Sequence, residues 1–517
     1  MTETVERQEL DTAGDGRPPA ATAGIAVVAG IAFAALLFSA SRYDYFGDEL
    51  YFLAAGRHPS FGYADQGPVL PMLARLMDTI APGSFFVLRL PAVALTTLAV
   101  AFTALLAREF GGGRGAQLLA AAAYATSPFL LLQGKMLTTN AIDTVLWVII
   151  TWLVVRWVRT RRDSLLLCAA LVTALDMQVK WLIPFFWIAV AVTSLALGPR
   201  ELVRRPLLWL GGAIVLLATL PTLIWQAGNG WPQLRMGEVI SGEQDVLGGR
   251  LMFVPLAILT AGVLGAVVLV YGVWALLRTP ALGRYRSLGP HRFLGATLLL
   301  LVAIFLMTGG RIYYMAGMYG VVLAAGAVGL VELAGRLGPS RRRLLIGSGS
   351  AVVLCSVALV LWSTPWQHPD DIAPAADDAE AAIDIGVYGE FGWPELTAAV
   401  SRAAAALAPA EHANAVVVTD TYWQASALDQ FARDELPPIY SPSRGYGYFG
   451  RPLDEASTVL AVGVAESFLH WNFDSVEPVG KVESRLGFPG NTQDVTVWKC
   501  TGVRHPWAET WPDLMHL

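Results

Sequence analysis

Charged residues and cysteines are scarce in this chain. Asp, Glu, Lys and Arg make up 15% of its 517 residues, against about 25% in a typical soluble protein. The three cysteines, Cys168, Cys355 and Cys500, lie far apart, which excludes a dense disulfide framework and a cysteine-rich zinc site. The formal net charge of −5 and the lack of a basic patch give no support to nucleic-acid binding.

Apolar runs that are long enough to cross a bilayer fill the chain between residues 21 and 363. A membrane-spanning helix takes about 20 apolar residues. The backbone polar groups of such a run must be satisfied within the run itself, so each run is predicted to be a helix. The break near Gln178–Lys180 is short, so the two runs beside it could also form one long helix. We predict eleven spans, at residues 21–41, 84–107, 115–132, 139–158, 164–178, 181–198, 206–226, 251–277, 293–308, 313–335 and 344–363.

Arginine is unevenly distributed between the loops that join these spans. If the N-terminus is cytoplasmic, the arginine-rich loops at residues 156–162, 200–205 and 336–343 all fall on the cytoplasmic side, as the positive-inside rule requires. An odd number of spans then places everything after residue 363 outside. The sequence therefore predicts a multi-pass protein of the cell membrane with a cytoplasmic N-terminus and an extracytoplasmic C-terminal domain.

Composition divides the chain into three parts. Residues 1–20 are polar and are predicted to be a disordered cytoplasmic N-terminus. Residues 21–365 form the transmembrane domain, whose first outer loop, 42–83, is much longer than a tight connection needs and is therefore expected to be functional. Residues 366–517 have the composition of a soluble domain, and their patterns predict an α/β fold with strands at 415–419, 458–462 and 495–498.

The first outer loop carries the carboxylates Asp44, Asp48, Glu49 and Asp65. Asp48 and Glu49 are adjacent at the predicted start of a helix near Gly47. A carboxylate at this position could accept the proton of an acceptor hydroxyl, which is a poor nucleophile at neutral pH. Acidic residues also favour the first turn of a helix for electrostatic reasons, so the same pair could simply begin the helix.

Three ionisable side chains lie in or beside apolar runs. Asp143 falls within the fourth run, where a charge is costly and by default indicates function, although near the outer surface it could merely cap a helix or pair with a cation. Lys180 and Arg311 stand at span ends on the predicted outer side. Cations in that position suit a lipid phosphate, or they could anchor their spans at the interface beside Trp181 and Tyr313.

Several stretches occur in an order and spacing that are typical of one family. They are DELYFLAAGRHPSFGYADQGPVLPMLARL from Asp48, LTTNAIDTVLW around Asp143, LPTLIWQAGNGWPQL from Leu220, GGRIYYMAGMYG from Gly309 and GEFGWPEL from Gly389. Together they resemble the family-39 glycosyltransferases, which include the protein O-mannosyltransferases and the lipid A aminoarabinose transferase. The resemblance implies the GT-C fold, an α-helical polytopic body of about 11 or more spans, and a polyprenyl-phosphate sugar donor. It also implies that Asp48 is the general base, with Glu49 as the second acid of the motif.

One position departs from the family motif, which continues as Gly-Tyr-x-Asp-His-Pro-Pro. This chain has Gln66 where histidine, or lysine in the lipid A branch, is usual. Lys180 and Arg311 are therefore predicted to bind the donor phosphate. We expect no obligatory metal, because a phosphate monoester leaving group needs less metal assistance than a nucleotide diphosphate, although Asp48 and Glu49 could hold a divalent ion. The further candidates for the substrate pocket are Tyr63, Asp65, Gln66, Arg89, Asp143, Tyr313 and Tyr314.

The predicted reaction is a single displacement at the outer face, which inverts the anomeric centre. Asp48 would deprotonate the hydroxyl of a glycan, protein, lipid or secreted natural product, and Lys180 and Arg311 would stabilise the charge on the leaving phosphate. The family suggests mannose or a similar sugar. Two other functions fit the hydrophobic body: a transporter or flippase of lipid-linked sugars, and a non-catalytic protein that binds them. A transporter needs no carboxylate pair in an outer loop and often has inverted repeats, of which the sequence shows none.

Overall fold

The computed structural model describes residues 17–246, 249–278, 288–365 and 367–517. The prediction of disorder for residues 1–16 lies outside these ranges. Residues 17–20, which belong to the same predicted segment, are instead held against the transmembrane domain. The Arg17 guanidinium pairs with the Glu109 carboxylate, and the Pro18 carbonyl accepts a hydrogen bond from Arg108.

Helices make up the transmembrane domain. Ser84, Ser127 and Thr138 accept backbone N–H bonds in the first turns of three of them, which fixes where these helices begin. The helices are α1 (Thr22–Ala40), α2 (Gly47–Arg57), α3 (Val69–Ile80), α4 (Phe85–Glu109), α5 (Arg114–Ala125), α6 (Pro128–Gly134), α7 (Thr139–Thr160), α8 (Ser164–Asp176), α9 (Ile183–Leu197), α10 (Pro206–Gly228), α11 (Pro232–Val246), α12 (Gly249–Thr260), α13 (Gly262–Arg278), α14 (Arg292–Thr308), α15 (Tyr319–Arg336) and α16 (Pro339–Ser363).

Each of the eleven predicted spans corresponds to a helix or a helix pair, but fewer are long enough to cross a membrane alone. Among the described residues, seven helices are long and apolar enough, or up to nine if each of two bent pairs forms one span. The shorter apolar helices are α8 and α9. They are separate helices with Lys180 between them, so the alternative of one long helix across Gln178–Lys180 is wrong.

Two runs predicted as single spans are broken. Helices α5 and α6 meet at a bend of 65°, and α12 and α13 meet at a bend of 108°. The two breaks lie against each other, because the Ser127 hydroxyl donates to the Thr260 carbonyl at 2.8 Å. Gly262 has a φ of +76°, and a Cβ there would lie 2.8 Å from the Thr126 carbonyl oxygen, so only glycine fits this close approach.

The C-terminal domain is α/β, as predicted. Its helices are α17 (Asp378–Ile383), α18 (Ile385–Tyr388), α19 (Trp393–Ala405), α20 (Pro409–Ala413), α21 (Tyr422–Phe431), α22 (Glu466–Asn472) and α23 (Trp507–Leu514), and its strands are β1 (Ala415–Thr419), β2 (Ile439–Tyr440), β3 (Thr458–Val462), β4 (Phe473–Glu483) and β5 (Gln493–Val503). The sheet order is β2-β1-β3-β5-β4. Strand β1 pairs in parallel with β2 and β3, and β5 pairs antiparallel with β3 and β4.

The predicted strands at 415–419 and 458–462 are confirmed, and the one at 495–498 is the middle of the longer β5. The sequence analysis missed β4. This strand lies at the sheet edge, contains Pro478 and Gly480, and is irregular between them, so it lacks the apolar alternation by which a strand is predicted.

The first outer loop and the C-terminal domain share one hydrophobic core. Helix α2 lies beside α21, and buried side chains of the loop, such as Phe46 and Leu50, belong to the same cluster as Trp393, Trp423 and Leu428. The Trp393 indole also donates to the Tyr45 carbonyl at 2.8 Å. The C-terminal domain is therefore packed directly on the loop that carries the predicted base.

Candidate active site

Asp48 lies in the first turn of α2, as the sequence predicts. Its Oδ1 accepts two hydrogen bonds from α21, one from the Tyr422 hydroxyl at 2.8 Å and one from the Trp423 indole at 2.9 Å. No described residue donates to Oδ2, and Asp48 is only half-buried. One oxygen of this carboxylate is thus fixed while the other is open to a ligand.

Glu49, although adjacent, lies in a different environment. It is fully buried, and its two oxygens accept bonds from the Arg89 guanidinium, the Leu137 amide and the Phe46 amide. Because these bonds occupy both carboxylate oxygens, Glu49 does not fit the role of a proton acceptor or a metal ligand. The geometry favours a structural role, which fixes the start of α2 and so the position of Asp48.

Arg89 was a candidate for the substrate pocket, but the structure uses its guanidinium elsewhere. Besides Glu49, it donates to the Glu390 carboxylate and to the carbonyls of Ala40, Arg42 and Asp44. Lys135 completes a buried network through its own ion pair with Glu390. Such a network joins α4, the first outer loop and the C-terminal domain, so Arg89 holds the site together and does not line it.

Tyr63, Asp65 and Gln66 differ in what they can offer a ligand. Tyr63 is buried, and its hydroxyl donates to the Ala55 and His58 carbonyls, which is a structural role. Asp65 accepts from the Tyr51 hydroxyl at 3.0 Å. Gln66 is 3% exposed, yet its amide has no hydrogen-bond partner among the described residues. A buried amide without a partner is unusual and suits a site that a polar ligand completes.

The surroundings of Asp65 connect it to Asp48. Burial raises the pKa of Asp65 to about 6, and the negative charge of Asp48 acts in the same direction. The positive charge of Arg444, from the glycine-rich loop of the C-terminal domain, opposes this rise in pKa. Arg444 lies over the Tyr422 ring at 5.2 Å from its centre. Asp48 and Asp65 therefore share one polar chamber, in which Arg444 and Tyr422 come from the C-terminal domain.

A second polar cluster lies within the helical body. The Lys180 ammonium donates to the Asn140 side chain at 2.6 Å and lies 5.3 Å and 4.7 Å from the ring centres of Tyr313 and Tyr314. The positive charge of Arg311 is close enough to act on Lys180. The two cations predicted to share a site therefore do lie near each other.

Asp143 belongs to the same cluster. It is buried, accepts a hydrogen bond from the Trp147 indole at 3.1 Å, and lies beside Asp176 and Lys180. Asp143 caps no helix but does face a cation, which agrees with the alternative that it pairs, while a functional role stays a prediction. Its carboxylate offsets the charge of Lys180 and so helps to keep that cation in the apolar body.

The described residues contain no group of three or more His, Cys, Asp or Glu side chains that could hold a metal ion. Glu49 is also unavailable, since both of its oxygens are engaged by protein donors. Glu49 therefore offers no free oxygen with which to complete a divalent site beside Asp48.

The sequence analysis missed Tyr422, Trp423 and Arg444. The local signal in the sequence is the glycine-rich, aromatic stretch SPSRGYGYFG, which begins at Ser441 and contains Arg444. Gly445 explains part of this composition, because a Cβ there would lie 1.7 Å from the Tyr51 hydroxyl. The glycine lets the backbone approach the first outer loop closely and brings Arg444 into the chamber.

Several solved structures have a similar fold. ArnT from Cupriavidus metallidurans in the apo state matches with a TM-score of 0.60 at 13% identity, over 93% of this chain and 98% of that one. The same protein bound to undecaprenyl phosphate matches with a TM-score of 0.55 at 14% identity, over 92% and 98%. The arabinofuranosyltransferase AftD from Mycobacteria matches with a TM-score of 0.51 at 15% identity, over 95% of this chain and 41% of that one. These likenesses define the GT-C fold.

A family model matches part of the sequence. Residues 65–225 match the model of the dolichyl-phosphate-mannose-protein mannosyltransferases, and the search of the curated proteins found no match. The predicted resemblance to GT-C glycosyltransferases that use polyprenyl-phosphate sugars is thereby confirmed. The matched segment contains Asp65, Gln66, Arg89, Asp143 and Lys180, and it ends before Arg311 and the C-terminal domain.

Proposed function

We propose that this protein transfers a sugar from a polyprenyl phosphate to an acceptor hydroxyl at the outer face of the membrane. The observation that carries the proposal is the Asp48 carboxylate, which has one oxygen fixed and one open in a partly buried chamber of the first outer loop. A transporter of the same lipid would have no use for such an arrangement. The family match and the GT-C fold support the same reaction class.

The reaction is a single displacement. Oδ2 of Asp48 takes the proton of the acceptor hydroxyl as its oxygen attacks the anomeric carbon of the donor sugar. The bond between that carbon and the phosphate oxygen breaks, and the polyprenyl phosphate leaves with the electron pair. Because one displacement occurs, the configuration of the anomeric carbon is inverted. The sugar that we propose is mannose or a similar one, as the matched family suggests.

Lys180 and Arg311 are proposed to bind the donor phosphate. The two cations lie close enough to repel each other, and a bound phosphate would relieve this repulsion. The helices around them are apolar, as the surroundings of a polyprenyl tail must be, and the similarly folded ArnT has a structure bound to undecaprenyl phosphate. The amide of Gln66, buried without a partner, is proposed to bond to the sugar or its phosphate in place of a cation.

Loss of either cation should weaken donor binding. A hydrogen bond to a charged group contributes about 1.5–3 kcal/mol, so Lys180→Ala and Arg311→Ala should each raise the Kd for undecaprenyl phosphate about ten- to a hundredfold. The double variant should lose less than the sum, because both cations bind one phosphate group. Binding is measured with the purified protein in nanodiscs. Arg75→Ala is the matched control, since Arg75 lies in the outer loop and donates to the Gly56 carbonyl. Unchanged affinity in both single variants would mean that the cations only anchor their helices.

The transfer reaction itself is tested with radiolabelled polyprenyl-phosphate mannose and membranes of the producing cells. We expect label to pass from the lipid donor to material that is no longer extracted with it. Retention of all label in the donor, with movement of the donor between leaflets, would favour the transporter. Binding of the donor with neither transfer nor movement would favour the non-catalytic protein.

The proposed domain arrangement is a transmembrane domain at residues 21–365 and an extracytoplasmic domain at 366–517. A phosphatase that is active only outside the cytoplasm, fused after Leu517, should be active, because the site faces the polyprenyl-linked donor at the outer surface. A reporter that works only in the cytoplasm should be silent at the same position. The reverse result would overturn both the orientation and the location of the site.

A further inference from the structure

The C-terminal domain supplies every hydrogen bond that the Asp48 side chain receives from the described residues. Both donors, the Tyr422 hydroxyl and the Trp423 indole, come from the first turn of α21 and reach the same oxygen. They lie 374 and 375 positions away from Asp48 in sequence. The transmembrane domain therefore carries the carboxylate but does not orient it.

The contact between the two helices is rigid at both ends. At the start of α2, the Trp423 ring lies against Gly47, where an added Cβ would be 2.1 Å from Trp423 Cδ2, and it packs edge-on against Phe46 at 5.1 Å. At the end of α2, Arg57 forms an ion pair with Asp429 at 2.7 Å. These contacts oppose sliding of α21 along α2 and place the two donors at Asp48.

We infer that Tyr422 and Trp423 are positioning residues of the sugar transfer, and that the C-terminal domain is for this reason a part of the catalytic site. The inference rests on the proposed function and deepens it. Two donors on Oδ1 fix the rotation of the carboxylate, so that Oδ2 faces the space where an acceptor hydroxyl must bind. Donors fixed in advance reduce the reorganisation that proton transfer would otherwise require.

The other charged groups of the chamber do not replace these donors. Asp65 carries the same sign of charge as Asp48 and accepts from Tyr51. The Arg444 guanidinium lies over the face of the Tyr422 ring, 5.2 Å from its centre. Burial, together with the Asp48 charge, also raises the pKa of Tyr422 well above its usual range, so this phenol remains a donor at all physiological pH values.

A double-mutant cycle tests the inference. Tyr422→Phe removes only the hydroxyl, and it should lower kcat for transfer from polyprenyl-phosphate mannose about ten- to a hundredfold, the effect of losing a hydrogen bond to a charged group. The donor KM should stay within about twofold, because Tyr422 orients the base and does not bind the donor. In the Asp48→Asn background the same change should have less than about a twofold effect, since residues that act through one group are not additive.

Tyr446→Phe is the matched control for this cycle. Tyr446 is buried against Ala54 of α2 and Ala425 of α21, so it lies between the same two helices without bonding to Asp48, and its loss of a hydroxyl should leave kcat unchanged. If Tyr422→Phe lowers activity by the same factor with Asn at position 48, the hydroxyl acts elsewhere and the inference is overturned. An unchanged kcat in Tyr422→Phe would overturn it as well.

An NMR measurement tests the hydrogen bond between Trp423 and Asp48 without any substrate. In the full-length protein labelled with ¹⁵N-tryptophan, the indole signal of Trp423 is identified by its loss in Trp423→Phe. We expect Asp48→Asn to move this signal upfield, because a neutral amide oxygen accepts a weaker bond than a carboxylate. A signal that does not move would overturn the inference, whereas a wild-type protein that moves no sugar in the transfer assay would instead overturn the proposed function.

Discussion

Replacing Asp48 by asparagine is expected to lower turnover by about two to four orders of magnitude, the usual contribution of general base catalysis. The substitution keeps the size of the side chain and leaves an oxygen that can still accept from Tyr422 and Trp423. It removes the basicity of the group that takes the proton of the acceptor. Donor binding should change little, because the proposed phosphate site at Lys180 and Arg311 involves other residues. Turnover and donor Kd are measured on the same preparation.

The control for this experiment is Asp78→Asn, which makes the same chemical change in the same loop. Asp78 is partly exposed and accepts a bond from the Gly83 amide, so its loss should not affect turnover. Near-normal turnover in Asp48→Asn would exclude Asp48 as the base. Asp65 would then be the next candidate, since it shares the chamber and its pKa is raised to about 6.

Replacing Arg89 by methionine is expected to lower the free energy of unfolding by about 3–5 kcal/mol, the cost of removing one partner from a buried ion pair. Methionine roughly keeps the volume of the side chain but leaves the carboxylates of Glu49 and Glu390 buried and short of a cation. Because Glu49 fixes the start of α2, turnover should fall as well, through displacement of Asp48. Unfolding is measured in mixed detergent micelles.

An exposed ion pair provides the comparison. Arg336 pairs with Glu332 one helical turn away, and both side chains are partly exposed, so Arg336→Met should cost at most about 1 kcal/mol. Equal effects of the two substitutions would show that the network around Arg89 contributes no more than a surface pair. Arg89 would then have to be reconsidered as a residue of the substrate pocket.

The sequence was sufficient for features that depend on short stretches of chain. Apolar runs of the right length predicted the helices that correspond to the eleven spans, but not α3 or α11. The acidic pair after Gly47 predicted the start of α2. The breaks at Ser127 and Gly262 were not predicted, because a bend of 65° or 108° within an apolar run leaves its mean hydropathy unchanged. The shared location of Lys180 and Arg311 was predicted from topology, since both lie at span ends on the same side.

The roles of individual site residues depended on tertiary contacts. The sequence suggested that Arg89 belongs to the substrate pocket. Its partners Glu49 and Glu390 lie 40 and 301 positions away, so the sequence did not show that it forms a buried network. Adjacent carboxylates also separated into different roles, because helix geometry turns Asp48 towards the C-terminal domain and Glu49 towards the buried arginine. Adjacent side chains of a helix point in different directions. The sequence around the two acids therefore does not show which of them contacts a cation.

The sequence by itself therefore determined the class of fold, the helical segments, the α/β character of the tail and the loop that carries Asp48. These properties follow from periodicity and from the transfer of apolar side chains out of water, which are local and additive along the chain. Only the tertiary structure decided that Tyr422 and Trp423 orient Asp48 and that Glu49 and Arg89 form a buried pair. Both results depend on how the C-terminal domain packs on the first outer loop, and this packing brings together residues with no pattern in common along the sequence.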